Sequence, residues 1–182
     1  MVGKSNLRDS KTMNTVNYPI AVVCAGNKNV YRDCVGLRVY EKIKLRYKRF
    51  VGVFNIGCIP LALLDCINRQ KIMFIIDAYI SNDKPGSLKI LKPDYFLSSH
   101  GITSTHQTGP LETLCVANLL YPERLPGDIR LLLINTQGIT EIMEDQVYRR
   151  VITLLDSEIE SWCIKNKRNY SLEGIKWSEI KH

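Results

Sequence analysis

The hydrophobic residues of this chain fall into two kinds of segment that alternate along the sequence. Continuous apolar runs, typical of buried strands, occur in "YPIAVVCAGN", "FVGVFNIG", "KIMFIIDA" and "DIRLLLIN". Apolar residues at helical spacing occur in "CVGLRVYEKIKLRY", "PLALLDCIN", "PLETLCVANLL" and "EIMEDQVYRRVITLLDSEIESWCIK". A further segment, "SLKIL", alternates apolar and polar residues after the turn "NDKPG", which predicts an edge or antiparallel strand.

Strands that alternate with helices predict an α/β fold, because the helices cover both faces of a mostly parallel sheet. We therefore expect a single-domain three-layer αβα sandwich whose twisted sheet has about five strands, one of them at an edge or antiparallel. The length of 182 residues and the 45% hydrophobic content support one domain. We expect a flexible polar tail at residues 1–16, the domain at residues 17–165 and a basic polar segment at residues 166–182.

Several polar residues follow the predicted strands at the edge where such sheets bind ligands, beyond the carboxyl ends of the strands. They lie in "AGN" (25–27), "NIGC" (55–58) and "NTQG" (135–138), and at Asp77. Asp77 comes directly after the apolar residues 72–76, where we expect the strand to end. The pattern leaves two interpretations open: Asp77 faces a cleft at this edge, or it closes an Asx-turn at the strand end.

Candidate chemical groups also occur in the connecting loops. His106, in a Ser/Thr/Gly-rich loop, has the chemistry of a metal ligand or general base, and the alternative is a surface histidine, the role we assign to His100. Asp33 precedes a helical pattern and has the position of a helix N-cap. Cys34 is interpreted as a small packing residue rather than a nucleophile.

The charge and the cysteine content of the chain indicate which classes of partner and binding site to expect. The chain has a net charge of +7, and its basic residues are most densely clustered in "KIKLRYKR" (42–49). We interpret this cluster as a solvated face at a helix end. Because no nucleic-acid module accompanies it, we expect no nucleic-acid partner. The six cysteines form no C-x-x-C pair, which disfavours zinc ribbons and thioredoxin motifs and predicts reduced thiols in the cytoplasm. We expect no membrane insertion, since no apolar stretch is long enough. Nucleotide binding is disfavoured, because both the dinucleotide fingerprint and the phosphate loop are missing.

Four segments in this order resemble one known family: "AGNKNVYRDCVGLRV", "NIGCIPLALLD", "IIDAYISNDKPGSL" and "STHQTGPLETLCVANLL". The family is that of the hydrogenase maturation endopeptidases, which trim a C-terminal extension from the large subunit of nickel-iron hydrogenases. The resemblance covers roughly residues 20–163. It implies a metal-dependent endopeptidase whose partner is the large-subunit precursor or another protein substrate.

Individual motif positions carry this resemblance. The family motif G-x-G-N-x-x-x-x-D-[DE]-x-x-G is matched at Gly26, Asn27, Asp33 and Gly36, the third segment at Asp77 and Ala78, and S-x-H-[QDE] at Ser104, His106 and Gln107. The resemblance implies that Asp33, Asp77 and His106 are catalytic and ligate a metal, either nickel carried by the substrate or another divalent transition metal such as zinc. It also implies substrate binding by Gly26, Asn27 and Gln107. Asn55 and Cys58 share the predicted edge of the sheet, where we expect them to contact substrate, and a turn-stabilising role is the alternative for Cys58.

The sequence departs from the family pattern around these residues. Cys24 and Arg32 stand where the first motif has a glycine and an aspartate. Asn55, Cys58 and Pro60 replace the Asp, Thr and final Gly of the second motif, D-x-G-T-x-G. The loss of carboxylates at positions 32 and 55 leaves three functions open: a hydrogenase maturation endopeptidase, a peptidase of the same fold with another protein substrate, and a catalytically degenerate protein that binds metal or a partner.

Overall fold

The structure, a computed structural model, describes residues 18–47, 50–92 and 109–166 of the chain. The described strands are β1 (Ile20–Ala25), β2 (Val51–Gly57), β3 (Ile72–Tyr79), β4 (Leu88–Leu91) and β5 (Ile129–Asn135). The described helices are α1 (Val35–Ile43), α2 (Leu63–Cys66), α3 (Pro110–Leu120) and α4 (Glu141–Lys165). Short 3-10 turns occur at Tyr31–Asp33, Pro60–Ala62 and Pro122–Arg124.

The five strands form one sheet in the order β2-β1-β3-β5-β4. β1, β2, β3 and β5 are parallel, whereas β4 pairs antiparallel with β5 at the edge, as the alternation in "SLKIL" predicts. The chain moves outward from β1 to β2 and then returns to the other side of β1 to form β3. The strand order therefore reverses between β1 and β3, and their carboxyl ends border the crevice where such sheets bind ligands.

Two apolar clusters lie on opposite faces of the sheet. Ile20, Val22 and Cys24 of β1 belong to the cluster that contains α1 and α4, whereas Ala21 and Val23 belong to the cluster that contains α2 and α3. Every residue of β1 is buried, because this strand is covered on both faces. The predicted three-layer αβα sandwich is confirmed.

Element ends differ from the prediction at two places. β3 does not stop at Asp77 but continues to Tyr79, because Asp77 and the next two residues remain paired with β5. The segment "PLALLDCIN" forms the 3-10 turn Pro60–Ala62 and only one helical turn, since Ile67 is already extended. Propensity alone did not distinguish a short turn from a full helix here.

The basic segment after α1 is bonded to the rest of the domain. The Arg46 guanidinium donates to the Asp156 carboxylate of α4 from Nε (2.9 Å) and Nη2 (2.5 Å), and the Tyr47 hydroxyl donates to the same carboxylate (2.8 Å). Lys44 and Leu45 are exposed. The predicted solvated face is therefore wrong for Arg46 and Tyr47, because these two residues anchor the end of α1 to α4.

The predicted domain limits stay a prediction, since residues 1–17 and 167–182 lie outside the described part of the chain. Within the described ranges, no helix combines the length and apolarity needed to cross a bilayer.

Candidate active site

The loop after β1 folds back so that Gly26 lies against the backbone of Asp33. This glycine has φ +146°, and a Cβ there would lie 2.2 Å from the Asp33 carbonyl oxygen. The Asn27 N–H donates to that carbonyl (2.9 Å), and the Asp33 N–H donates to the Val30 carbonyl (2.9 Å). A glycine is required because the backbone conformation and the close approach both exclude a side chain. The loop thus returns Asp33 to the end of β1.

The start of helix α1 lies against the carboxyl ends of the adjacent strands β1 and β3. A Cβ on Gly36 would lie 2.0 Å from the Ala25 carbonyl oxygen and 2.9 Å from the Ile76 carbonyl oxygen. The first turn of α1 therefore packs against the ends of β1 and β3 at once. Asp33, three residues earlier, is carried to the same boundary as Asp77 of β3.

The two carboxyl groups have unusual protonation energetics. Burial and, to a smaller extent, the Asp33 charge raise the pKa of Asp77 to about 6, against the opposing effect of a hydrogen bond from the Ala78 N–H (2.8 Å). Burial also raises the pKa of Asp33, with a backbone hydrogen bond from Asn27 opposing it. Because each ionised carboxylate is disfavoured by burial, a divalent cation between them would stabilise both charges.

The structure shows neither the N-cap role predicted for Asp33 nor the Asx-turn that was one of the two interpretations of Asp77. The N-cap of α1 is Cys34, and no side chain accepts a capping hydrogen bond there, because the 3-10 turn Tyr31–Asp33 places Asp33 before the cap. Asp77 lies inside β3 and accepts a hydrogen bond from the adjacent Ala78 N–H, so it does not close a turn at the strand end.

The second family segment lies beside the first. The Gly26 N–H donates to the Gly57 carbonyl (2.9 Å), which links the connections that follow β1 and β2. Asn55 is an exposed residue of β2 rather than of the loop, and its Oδ1 accepts from the Gly57 N–H (2.9 Å). Cys58 is exposed just beyond the strand. Asn27, also predicted to bind substrate, accepts from the Asn29 N–H (3.0 Å).

The remaining predicted site residues lie outside the described part of the chain: His106 and Gln107, together with His100 and Ser104. Within residues 18–47, 50–92 and 109–166, no group of three or more His, Cys, Asp or Glu converges on a metal site. The described donors at the crevice are thus the carboxylates of Asp33 and Asp77. Gly109, three residues after His106, precedes α3 and donates its N–H to Glu112 of that helix (2.8 Å).

An ion pair between the partly exposed Arg38 and the buried Glu144, which the sequence analysis missed, supports the Asp33 turn. Glu144 of α4 is buried and accepts hydrogen bonds from Arg38 and from the Tyr148 hydroxyl (3.1 Å). The Arg38 guanidinium lies 4.9 Å from the centre of the Tyr31 ring, in the same turn as Asp33. Glu144 lies three residues before the buried Val147, on the buried face of α4, and an acid at such a position is the signal that sequence reasoning overlooked.

The Cys34 thiol belongs to the same turn. It is buried and donates to the Tyr31 carbonyl (2.9 Å). This contact agrees with a packing role for Cys34.

Asn135, at the end of β5, orders a second loop at this edge. Its side chain is fully buried, donates to the Asp83 carbonyl (2.8 Å) and accepts from the Ser81 and Gln137 N–H groups (3.2 Å each). One amide thereby satisfies several backbone groups of the segment that joins β3 to β4. Its role in the described structure is to hold that loop.

Comparison with known proteins places this arrangement in a family context. The sequence profile described as "HycI: Hydrogenase maturation protease" matches residues 37–155. The matched range contains Asp77 and His106, and Asp33 lies four residues before its first residue. A search of curated protein sequences found no match.

Solved structures with the same fold carry related names. The hydrogenase maturating endopeptidase HybD from E. coli is 21% identical over 76% of this chain and 93% of its own, with a TM-score of 0.59. The [NiFe] hydrogenase maturation protease HycI from Thermococcus kodakarensis KOD1 is 21% identical over 75% and 90%, with a TM-score of 0.60. The endopeptidase HycI from Escherichia coli is 25% identical over 72% and 87%, with a TM-score of 0.55.

Proposed function

Since this chain belongs to the hydrogenase maturation protease family, we propose that it removes the C-terminal extension of a nickel-iron hydrogenase large-subunit precursor, in the cytoplasm and after nickel insertion. The family consists of proteases, which are hydrolases. The substrate-borne nickel, or another divalent transition metal such as zinc, is the group that the candidate site would recognise.

The observation that carries this proposal is the convergence of Asp33 and Asp77 at the strand-order reversal. One carboxyl group comes from the connection after β1 and the other from β3 itself, and burial raises the pKa of each. A pair of partly buried carboxylates at the ligand-binding edge of a parallel sheet suits a divalent cation better than a neutral ligand.

We propose His106 as the third ligand. It lies three residues before Gly109, which enters α3, and this helix runs from the carboxyl edge of the sheet toward the start of β5. Two carboxylate oxygens and one imidazole are a suitable donor set for nickel or zinc, and they leave coordination positions for the substrate's own ligands. A metal bound beside the scissile peptide would polarise its carbonyl or activate a water molecule.

The decisive experiment incubates the purified protein with nickel-loaded and with nickel-free precursor and measures the product mass. We expect shortening of the nickel-loaded precursor only. Asp33→Asn, Asp77→Asn and His106→Ala should each abolish cleavage, whereas Asp65→Asn, a change at an exposed carboxylate of α2, should leave it intact. Equal cleavage of the nickel-free precursor would contradict metal recognition.

A second candidate function is supported by the residues around the pair. Asn55 stands where the family has an aspartate, and Arg32 places a cation beside Asp33. If catalysis requires the carboxylate that the family has at the position of Asn55, this chain would bind metal or a partner protein without cutting a peptide bond. Absence of cleavage by the natural chain, with cleavage restored in Asn55→Asp, would favour this candidate. Cleavage of a different protein, with the hydrogenase precursor left intact, would instead favour a same-fold peptidase.

A further inference from the structure

Several exposed apolar side chains lie around the candidate site. The connections that follow β1, β2 and β3 carry five of them, hereafter the apolar rim: Val30, Tyr31, Ile59, Leu61 and Ile80. Ile59, Leu61 and Ile80 are 63%, 55% and 66% exposed. Large apolar side chains grouped on a surface mark interaction sites more often than isolated ones do.

The residues of the apolar rim are neighbours because their strands are neighbours. β2, β1 and β3 are adjacent and parallel, so their carboxyl ends meet at one edge. The hydrogen bond from the Gly26 N–H to the Gly57 carbonyl joins the first two connections directly. The apolar rim therefore surrounds the end of the sheet where Asp33 and Asp77 lie.

An uncompensated cation lies within the apolar rim. Arg32 is exposed between Tyr31 and Asp33, and it donates to no acceptor among the described residues. The other arginines of the described ranges each bind a carboxylate or a backbone carbonyl: Arg38, Arg46, Arg69, Arg124, Arg130, Arg149 and Arg150. Arg32 thus remains available to an anionic group of a bound molecule.

We propose that the apolar rim and Arg32 form the docking surface for the segment of the protein substrate that flanks the bond to be cut. This inference rests on the proposed function and adds a requirement to it: the segment presents apolar side chains and at least one carboxylate. A permanent partner here, such as a second copy of the chain, would cover the crevice that the substrate must enter. The substrate is therefore the occupant that fits the position of the surface.

The test compares two double variants, each of which replaces two exposed apolar side chains by glutamine. Ile59→Gln with Leu61→Gln alters the apolar rim. Leu119→Gln with Leu120→Gln alters residues that are 80% and 56% exposed at the end of α3, which leads to the opposite edge of the sheet. Binding of the nickel-free large-subunit precursor is measured by calorimetry, so that docking is separated from metal recognition.

We expect the rim variant to raise the Kd about tenfold or more, as loss of clustered interface contacts does, with kcat at saturating nickel-loaded precursor changed less than about twofold. The α3 variant should bind like the natural chain. Arg32→Ala should raise the Kd and weaken its dependence on salt, whereas Arg32→Lys should restore much of both, since the interaction is with a charge.

Three outcomes would overturn the inference. The first is an unchanged Kd together with an unchanged Tm in the rim variant. The second is a dimer of the natural chain that dissociates in the rim variant, seen by sedimentation, because a second copy would then be the occupant. The third is an unchanged Kd with a lowered Tm, because a segment of this chain such as residues 93–108 would then cover the rim. Binding that depends on the rim without any cleavage would contradict the proposed function and support the docking surface.

Discussion

Asp77 holds a carboxyl group where an ionised side chain is energetically costly. The apolar residues before it in β3 are buried, and within the described ranges its carboxylate accepts a hydrogen bond from the Ala78 N–H alone. Burial and the neighbouring Asp33 charge both favour the protonated form, which raises the pKa. This residue therefore stabilises the fold less than an uncharged isostere would, which is typical of functional positions.

Asp77→Asn should stabilise the metal-free protein at neutral pH. The folded-state pKa is about 6, above the ordinary value of 3.8, so between these values the folded protein binds more protons than the unfolded chain. The stability of the natural chain consequently falls as pH rises through that window, and the loss is complete above it. We expect the variant to be more stable at pH 7.5 by about 1–3 kcal/mol, with the difference vanishing near pH 4.

Urea unfolding at pH 4, 5, 6 and 7.5 measures this difference, with Asp65→Asn as the exposed control. The prediction fails if Asp77→Asn is less stable than the natural chain at pH 7.5. It also fails if the stabilisation is the same at every pH, because a packing effect would not follow the titration.

At the residue scale, the sequence motifs predicted more than local propensity did. The alignment of Asp33 and Asp77 with the family motifs selected two residues that the fold brings to one crevice. The local N-cap role failed for Asp33, because the loop through Gly26 inserts a 3-10 turn before the helix. The way this loop folds back depends on where β1 ends and on backbone contacts, and neither can be predicted from the pattern of a single sequence.

Gly36 shows how one element is fitted to the sheet. In an isolated helix, alanine is more favourable than glycine by about 1 kcal/mol. Here a Cβ would meet the carbonyl oxygens of Ala25 and Ile76, which belong to the backbone and cannot rotate away. We expect Gly36→Ala to destabilise the protein by more than about 2 kcal/mol, because overpacking must displace α1 from the strands.

Gly57→Ala is the matched control for Gly36→Ala. Gly57 has φ +56°, and no atom lies within 4 Å of the position that a Cβ would occupy, so only the backbone conformation opposes alanine there. Its cost should be about 1–2 kcal/mol. Urea denaturation ranks the two variants. A gain in stability for Gly36→Ala would show that helix propensity, not the contact with the strands, dominates at this position.

Asp156 should contribute strongly to the packing of α1 on α4. Its carboxylate binds Arg46 through two hydrogen bonds and also accepts from Tyr47, and both charged side chains are 10% exposed. Asp156→Asn keeps the shape but leaves the Arg46 charge without its counter-ion. We expect a loss of about 2–4 kcal/mol in the free energy of unfolding.

The control for Asp156→Asn is Asp145→Asn on the same helix. Asp145 pairs with Arg149 and with Lys42 of α1; the Asp145 side chain is 51% exposed, and its partners are 60% and 44% exposed. Solvent screens both pairs, so their loss should leave the free energy of unfolding almost unchanged. Urea denaturation compares the two variants, and equal effects of the two substitutions would contradict the importance assigned to the Arg46 contact.

Element types were largely predictable, whereas several element ends were not. The long helix α4 and the edge strand β4 were predictable from their hydrophobic periodicity, because an element that buries one face repeats its apolar residues at regular intervals. The pairing of Ala78 and Tyr79 with β5 extends β3 beyond the apolar run. Similarly, the bonds of Arg46 and Tyr47 to Asp156 are contacts with a distant helix. Contacts with residues distant in the sequence determine where these elements end, and a local sequence pattern does not contain those contacts.

At the scale of the whole molecule, the strand order gives the candidate site its location. Alternating strands and helices predict the αβα layers but do not specify that β3 returns to the far side of β1. The observed order β2-β1-β3-β5-β4 puts the reversal between β1 and β3. Asp33 and Asp77 follow or belong to these two strands, so the topology brings together residues that are 44 positions apart in the sequence (77 − 33 = 44).

The domain should fold without its terminal segments. Among the residues that the structure describes, those of the two apolar clusters lie between Ile20 and Cys163. A chain reduced to residues 17–166 keeps both clusters and the Arg46–Asp156 pair. Stability follows the buried apolar area, so we expect a Tm within about 3 °C of the full chain.

Scanning calorimetry of the full chain, of residues 17–182 and of residues 1–166 assigns any difference to one terminus. A loss of more than about 8 °C in the shortened chain corresponds to roughly 2 kcal/mol or more for a domain of this size. Such a loss would move the domain boundary into residues 1–16 or 167–182. An unchanged Tm with a weaker affinity for the precursor would instead assign the missing terminus to substrate binding, since folding and docking would then depend on different parts of the chain.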